Sequence, residues 1–122
     1  MKQVCELFRE CGAFFVLTLN DGRPAGRPFG AIMEHEGDLY ISTGDMKAVY
    51  VQLKANPAVQ LLALKPGTRD WMRVTGAAEE SSDLAVKAGM LAECPALTKH
   101  FPTPDAPHFA VFRVKVERVE RY

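Results

Sequence analysis

The feature that most constrains this chain is the shortness of the links between its apolar runs. "AFFVLTL" (13–19) is aromatic and β-branched, and the Asp-Gly of Asn20-Asp21-Gly22-Arg23 follows at once. Two residues of that type between extended runs predict a hairpin, because both central positions of the favoured turn need positive φ. Glu36-Gly37-Asp38 turns the chain again before "LYIST", and Pro66-Gly67 separates "AVQLLALK" (58–65) from "DWMRVTGAAE" (70–79). Links this short cannot hold the crossover that a parallel pair needs, so the sheet is predicted to be mainly antiparallel.

The individual runs add detail. "AFFVLTL" is apolar on both sides and is expected to be a central strand. The segment 24–37, "PAGRPFGAIMEHEG", is interrupted by prolines and glycines. Pro28 cannot donate to a ladder, so part of this strand belongs at an edge or a bulge. If this strand pairs with "LYIST" through the turn at 35–37, Arg27 and Thr43 approach the same end of that hairpin. The last run, "HFAVFRVKVERVERY" (108–122), sets Phe112, Val114 and Val116 against Arg113, Lys115 and Glu117. Val119 breaks that phase, which predicts a bulge near Glu117–Arg118.

Three helices are predicted. In 2–11, Val4, Leu7, Phe8 and Cys11 share a face, and Gly12 ends the helix. In 46–56, Met46, Val49, Tyr50 and Leu53 share a face, with Asp45 as N-cap and Asn56-Pro57 as the stop. The third runs from a Ser81 or Ser82 cap to about Glu93. "CPALTKHFPTPDAP" reads as a loop with one helical turn. About six strands and three helices make an α+β chain that is mainly β. Many strands with two faces to bury in one small domain favour a barrel.

The 122 residues suit a single domain, 1–122, with 48% hydrophobic and 25% charged residues. Fifteen Lys+Arg balance fifteen Asp+Glu, so the basic footprint of a nucleic-acid binder is missing. Three cysteines with no C-x-x-C pair point to reduced thiols and a cytoplasmic protein rather than a disulfide framework. "MKQVCELFRE" has charges and no apolar h-region, so no signal peptide is expected. No apolar run approaches the ~20 residues of a membrane helix.

Chemistry is suggested at one strand-to-helix corner, Ser42-Thr43-Gly44-Asp45-Met46-Lys47. A helix start presents free N–H groups and a partial positive charge, which suits phosphate. Ser42 and Thr43 add hydroxyls, Gly44 permits close approach, and Lys47 adds charge. Asp45 is negative at the same place, and a plainly capped helix with a solvated lysine is the competing reading. Arg27 is either a bidentate phosphate clamp or a surface arginine. Trp71 and Arg73 share a strand face and suit a planar ligand, a subunit interface, or a Trp tucked under a barrel mouth. No spacing of His35, His100, His108 and Cys94 makes a metal site, and no catalytic acid, base or nucleophile stands out. If the chain is an enzyme, a bound cofactor does the chemistry.

Taken in order, "GRPFG", "LYIST" with Lys47 four residues after Thr43, "VYVQLKANPAVQL" and "DWMRVTGAAEE" resemble the FMN-binding split-barrel family, the pyridoxamine 5′-phosphate oxidase-like proteins. The resemblance covers roughly residues 3–80, and the last strand loosely. It implies a six-stranded antiparallel split β-barrel that forms a homodimer, with FMN in clefts at the subunit interface. Arg27, Ser42, Thr43 and Lys47 would then hold the flavin phosphate. Pro28, Phe29 and Gly30 would lie along the isoalloxazine edge, and Trp71 and Arg73 would approach the ring or the partner subunit. The helix after Lys47 continues Ala48-Val49-Tyr50 instead of a basic run, and the chain ends soon after the last strand, so vitamin B6 oxidation is not expected. The implied function is a small FMN oxidoreductase that passes hydride or electrons to a small organic acceptor. The alternatives are a non-catalytic flavin or haem binder of the same fold, or a site for another phosphorylated ligand such as a deazaflavin.

Overall fold

The computed structural model describes residues 1–122. Its elements in chain order are α1 (Lys2–Cys11), β1 (Phe14–Asn20), β2 (Arg23–Phe29), β3 (Ile32–His35), β4 (Asp38–Gly44), α2 (Ala48–Ala55), β5 (Ala58–Leu64), β6 (Trp71–Ser81), α3 (Leu84–Glu93), a 3₁₀ turn (Pro95–Lys99) and β7 (Phe109–Arg121). All seven strands join one antiparallel sheet in the order β2-β1-β5-β6-β7-β4-β3. The expected count of six was one short, because 24–37 is not one strand. It breaks at Gly30-Ala31 into β2, which pairs with β1, and β3, which pairs with β4.

That break shapes the molecule. β2 and β3 are the two edges of the sheet, yet only two residues link them. Three Cα steps reach no more than roughly 11 Å. The sheet must therefore curl until its edges nearly meet at this end. No ladder joins them, so the sheet is not a closed barrel. The expected pairing of Arg27's strand with β4 is also replaced: Arg27 stands opposite Val16 of β1.

The hairpin turns form as their residues dictate. Asp21 and Gly22 have φ of 51° and 78°, and Glu36 and Gly37 have φ of 51° and 87°. Both are the doubly positive turns that match strand twist. The bulge falls where the hydrophobic phase slipped. Thr75 pairs with Arg118 and Gly76 with Val116, leaving Glu117 as the extra residue. A Cβ on Gly76 would collide with the carbonyl oxygen of Lys115, so the bulge needs glycine there.

The curl encloses the main core, with Phe8 of α1, Phe14 and Val16 of β1, Leu61 of β5, Val74 of β6 and Phe112 of β7 all fully buried. A second cluster, including Met33, Tyr40, Met90 and Val111, fills the space between α3 and the outer face of β3-β4-β7. β4 is thus buried on both faces, as Leu39 and Ile41 enter one core and Tyr40 the other. The strand expected to be central, β1, instead lies next to an edge, with Phe15 50% exposed. Its second apolar side faces outward. Two helix starts also differ from expectation. α3 is capped by Asp83, whose carboxylate accepts from the Ala85 N–H at 2.9 Å, rather than by Ser81 or Ser82. α2 begins after Lys47 and has no side-chain cap, because Asp45 lies too far back and is engaged elsewhere.

Candidate functional site

A cleft of about 780 Å³ opens where the two sheet edges approach. Its walls come from the end of β2, the Gly30-Ala31 link, the end of β4, the start of α2, and the segment after α3.

At the end of β4, Ser42 is 8% exposed, and its Oγ has no hydrogen-bond partner. A buried hydroxyl without a partner costs about 1–3 kcal/mol, so Ser42 Oγ keeps unused bonding capacity; Arg113 Nε shares that standing but lies 3.0 Å from Asp38 Oδ2. Beside it lie Thr43 and Gly44, and then Lys47 at the N-cap of α2. α2 has no side-chain cap; Tyr50 N–H donates to Lys47 O at 3.1 Å, and the Ala48 and Val49 N–H groups at its start keep their bonding capacity and partial positive charge. Lys47 forms no ion pair. A Cβ on Gly44 would rest 3.8 Å from both Lys47 Cγ and Phe101 Cζ, so the corner is snug without being blocked.

Arg27 reaches the same cleft with most of its guanidinium engaged by the protein. Nη1 donates to Thr18 Oγ1 at 2.8 Å, Val16 O at 3.2 Å and Ala25 O at 3.3 Å. Nη2 donates to Gln52 Oε1 at 2.6 Å, and Thr18 Oγ1 donates to the same oxygen at 2.6 Å. Burial pushes the guanidinium's pKa below its ordinary value, and no carboxylate pairs with it. Arg27 is therefore an uncompensated cation held by α2 and β1, not a freely swinging clamp.

All the residues picked from sequence line this cleft except Trp71 and Arg73. Those two stand on the outer face of β6. The Trp71 and Tyr122 rings stack 4.4 Å apart at 20°, and the Arg73 guanidinium lies 5.2 Å from the Trp71 ring centre. Arg73 Nε donates to Glu120 Oε1 at 2.9 Å, and the Tyr122 hydroxyl donates to Glu120 Oε2 at 2.8 Å. Arg73 first, then Tyr122, pull the Glu120 carboxyl down to about 2.

Sequence reading missed the wall contributed by α1 and the segment after α3. Arg9 donates to Ile32 O at 2.8 Å and to Glu93 Oε1 at 2.7 Å, bracing the link that opens the cleft. His100 and Phe101 also line it, and Phe101 stacks on Phe109 at 4.7 Å. Arg9 and Glu93 are 84 residues apart, and neither sits in a motif. The only available signal was a proline-rich stretch too long to be a simple turn. The three cysteines are free, and burial pushes the Cys5 and Cys11 thiols up.

The family model for pyridoxamine 5′-phosphate oxidase matches residues 1–122. A crystal structure of a NimC/NimA family protein from Clostridium acetobutylicum superposes with a TM-score of 0.88 at 30% identity, covering 100% of this chain and 90% of that one. A pyridoxamine 5′-phosphate oxidase-related, FMN-binding protein from Nostoc punctiforme has a TM-score of 0.77 at 18% identity, covering 98% of this chain and 82% of that one. A haem-binding protein from Mycobacterium smegmatis reaches 0.78 at 18% identity, covering 95% of this chain but 50% of that one. Curated proteins include no significant match. At 18% identity the last two structures speak for the fold alone. The family model spans the whole chain, and the chain belongs to the pyridoxamine 5′-phosphate oxidase-related family.

Proposed function

We propose that this chain is a cytoplasmic, homodimeric FMN-binding flavoprotein that acts as a small oxidoreductase. The observation that carries the reading is Ser42 Oγ, a buried donor with no partner, beside Thr43, Lys47 and the uncapped start of α2. A phosphate at this corner would meet the Lys47 charge and the free N–H groups of Ala48 and Val49, with a hydroxyl of the strand end as a further donor. The fit extends along the cleft, where Pro28, Phe29 and Gly30 form an edge with open space beside Gly30. Bound FMN would supply hydride or electron transfer to a small organic acceptor. The chain's own groups would bind, orient and shield the flavin, with Arg27 contributing positive charge near the phosphate.

The homodimer reading draws on the outer face of β1, β5 and β6. Phe15 is 50% and Leu64 58% exposed there, and Leu17, Leu62 and Trp71 are partly exposed beside them. Apolar side chains continuous across three strands are characteristic of an interaction face. A second copy on this face would bring its Trp71 and Arg73 to the assembly. No helix is long and apolar enough to cross a membrane.

The test is a visible spectrum after saturation with FMN and desalting, with release and identification of the chromophore. Stoichiometric flavin in a sedimenting dimer supports the reading, and a folded dimer without flavin removes it. Reduction by a nicotinamide nucleotide, with turnover of an acceptor, then separates an enzyme from a flavin store. His100 on the cleft wall keeps a haem-binding reading in view, and a Soret band in place of flavin bands would establish it.

A further inference from the structure

His108 holds a backbone conformation that is uncommon outside glycine. Its φ is 68°, in the left-handed region that a side chain with a Cβ seldom occupies. Such strain persists where surrounding bonds over-determine it. Here both bonds go to one residue. The His108 carbonyl accepts from the Asp45 N–H at 2.9 Å, and His108 Nδ1 lies 2.8 Å from Asp45 Oδ1. Against a carboxylate acceptor, Nδ1–H is the donor in this pair.

Asp45 is the one acid within the corner Ser42–Lys47. Its neighbours Gly44 and Lys47 line the cleft, and Asp45 does not. Its carboxylate is turned to the β7 side by the imidazole. A free carboxylate there would oppose a phosphoryl group across less than one helical turn.

We propose that His108, a residue outside the cleft, is a positioning residue that sets the affinity of the Ser42–Lys47 corner for a phosphoryl group by holding the Asp45 carboxylate away from it. The inference rests on the phosphate half of the function proposed above and not on the redox half.

The test uses the full chain, with FMN, riboflavin and inorganic phosphate as probes. Flavin binding is read by fluorescence quenching, and phosphate binding by shifts of the Ser42–Lys47 amide resonances. His108→Gly removes the ring, keeps the carbonyl, and suits the left-handed backbone, so its thermal midpoint stays at or above that of the unaltered protein. It should weaken FMN and phosphate about three- to tenfold, the reach of one partly solvated charge, and leave riboflavin unchanged. His108→Asn, which tolerates the same φ and keeps a donor, should restore most of the affinity. Asp45→Asn in the His108→Gly background should return it to the unaltered level or above.

Equal losses for FMN and riboflavin, no loss in His108→Gly, or no recovery with Asp45→Asn would each overturn the proposal. Phosphate binding that depends on His108 without any flavin binding would uphold it and sink the flavin reading instead. No binding of FMN or of phosphate at these amides would sink both.

Discussion

Two regions of this molecule combine cations with aromatic or hydroxyl neighbours, and they differ in whether those groups are satisfied. At the cleft, Ser42 Oγ has no partner, α2 has no side-chain cap, Lys47 has no counter-charge, and Arg27 has neutral acceptors only. At the far end of β6, Arg73, Glu120, Tyr122 and Trp71 complete one another by hydrogen bonds, an ion pair and ring stacking. Residue type alone marked both as candidate sites. A buried donor with nothing to bond keeps capacity for another group, whereas a closed network has used its own. On the proposed function, the first region would take a ligand's anionic end, and the second would offer a rigid aromatic anchor to a second copy.

The sharpest way to break this contrast is at Lys47 and Arg27. Lys47→Ala should weaken FMN binding by about 1.5–3 kcal/mol, the scale of a lost charge-assisted bond, and leave thermal stability unchanged. Arg27→Ala should cost a similar ~1.5–3 kcal/mol in binding and also lower the melting temperature, because Thr18 and Gln52 lose their shared donor. Calorimetric titration beside thermal melts separates the two. If neither affinity changes, the phosphate does not sit at this corner.

At the other region, Trp71→Ala should raise the dimer dissociation constant by the equivalent of about 2 kcal/mol, as truncation of an interface tryptophan does. Any loss of flavin affinity should then be equal for FMN and riboflavin. Sedimentation equilibrium reads the first quantity and fluorescence titration the second. A variant that dimerises normally and loses FMN selectively would place Trp71 at the phosphate and erase the distinction between the regions.

Ser42→Ala offers a smaller but two-sided result. Removing a buried hydroxyl that has no partner should stabilise the flavin-free protein by about 1 kcal/mol. The same change should weaken FMN binding, so stability and affinity move in opposite directions. Denaturant melts with and without FMN measure both. A destabilised flavin-free variant would mean that Ser42 Oγ is satisfied in solution after all.

How much of this was legible beforehand follows from the range of each interaction. Turns and helix α1 were read correctly because Asp21-Gly22 and the Val4-Leu7-Phe8-Cys11 stripe act locally. The bulge at Glu117 was legible because a slipped period leaves a trace in one strand. The split of 24–37 was not, since only the pairing of β2 with β1 and of β3 with β4 decides it. β1 looked central because both its faces are apolar, and sequence cannot say whether the second face meets a core or another protein. At the cleft, Ser42, Thr43 and Lys47 fall together because strand end and helix start are neighbours in the chain, whereas Arg27 arrives through the split of 24–37 and its pairing with β1. Arg9, Glu93, His100 and the Asp45–His108 pair were not legible, because they meet across long separations.

The mildest probe of the contrast is acid. Glu120 has a folded value of about 2, against an unfolded value near 4.5. A depressed carboxyl adds stability that is fully present above the unfolded value and is lost as pH falls through the folded one. The closed network should therefore weaken between about pH 4.5 and about pH 2. Glu120→Gln removes this contribution, so the stability difference between the unaltered protein and the variant should shrink steadily across that window. Flavin affinity at neutral pH should not change, since Glu120 does not line the cleft. Denaturant melts at several pH values measure the first effect and titration at pH 7 the second. A flat difference across the acid range would mean that the Arg73–Glu120–Tyr122 network does not hold in solution, and the β6 end would lose its standing as the satisfied counterpart of the cleft.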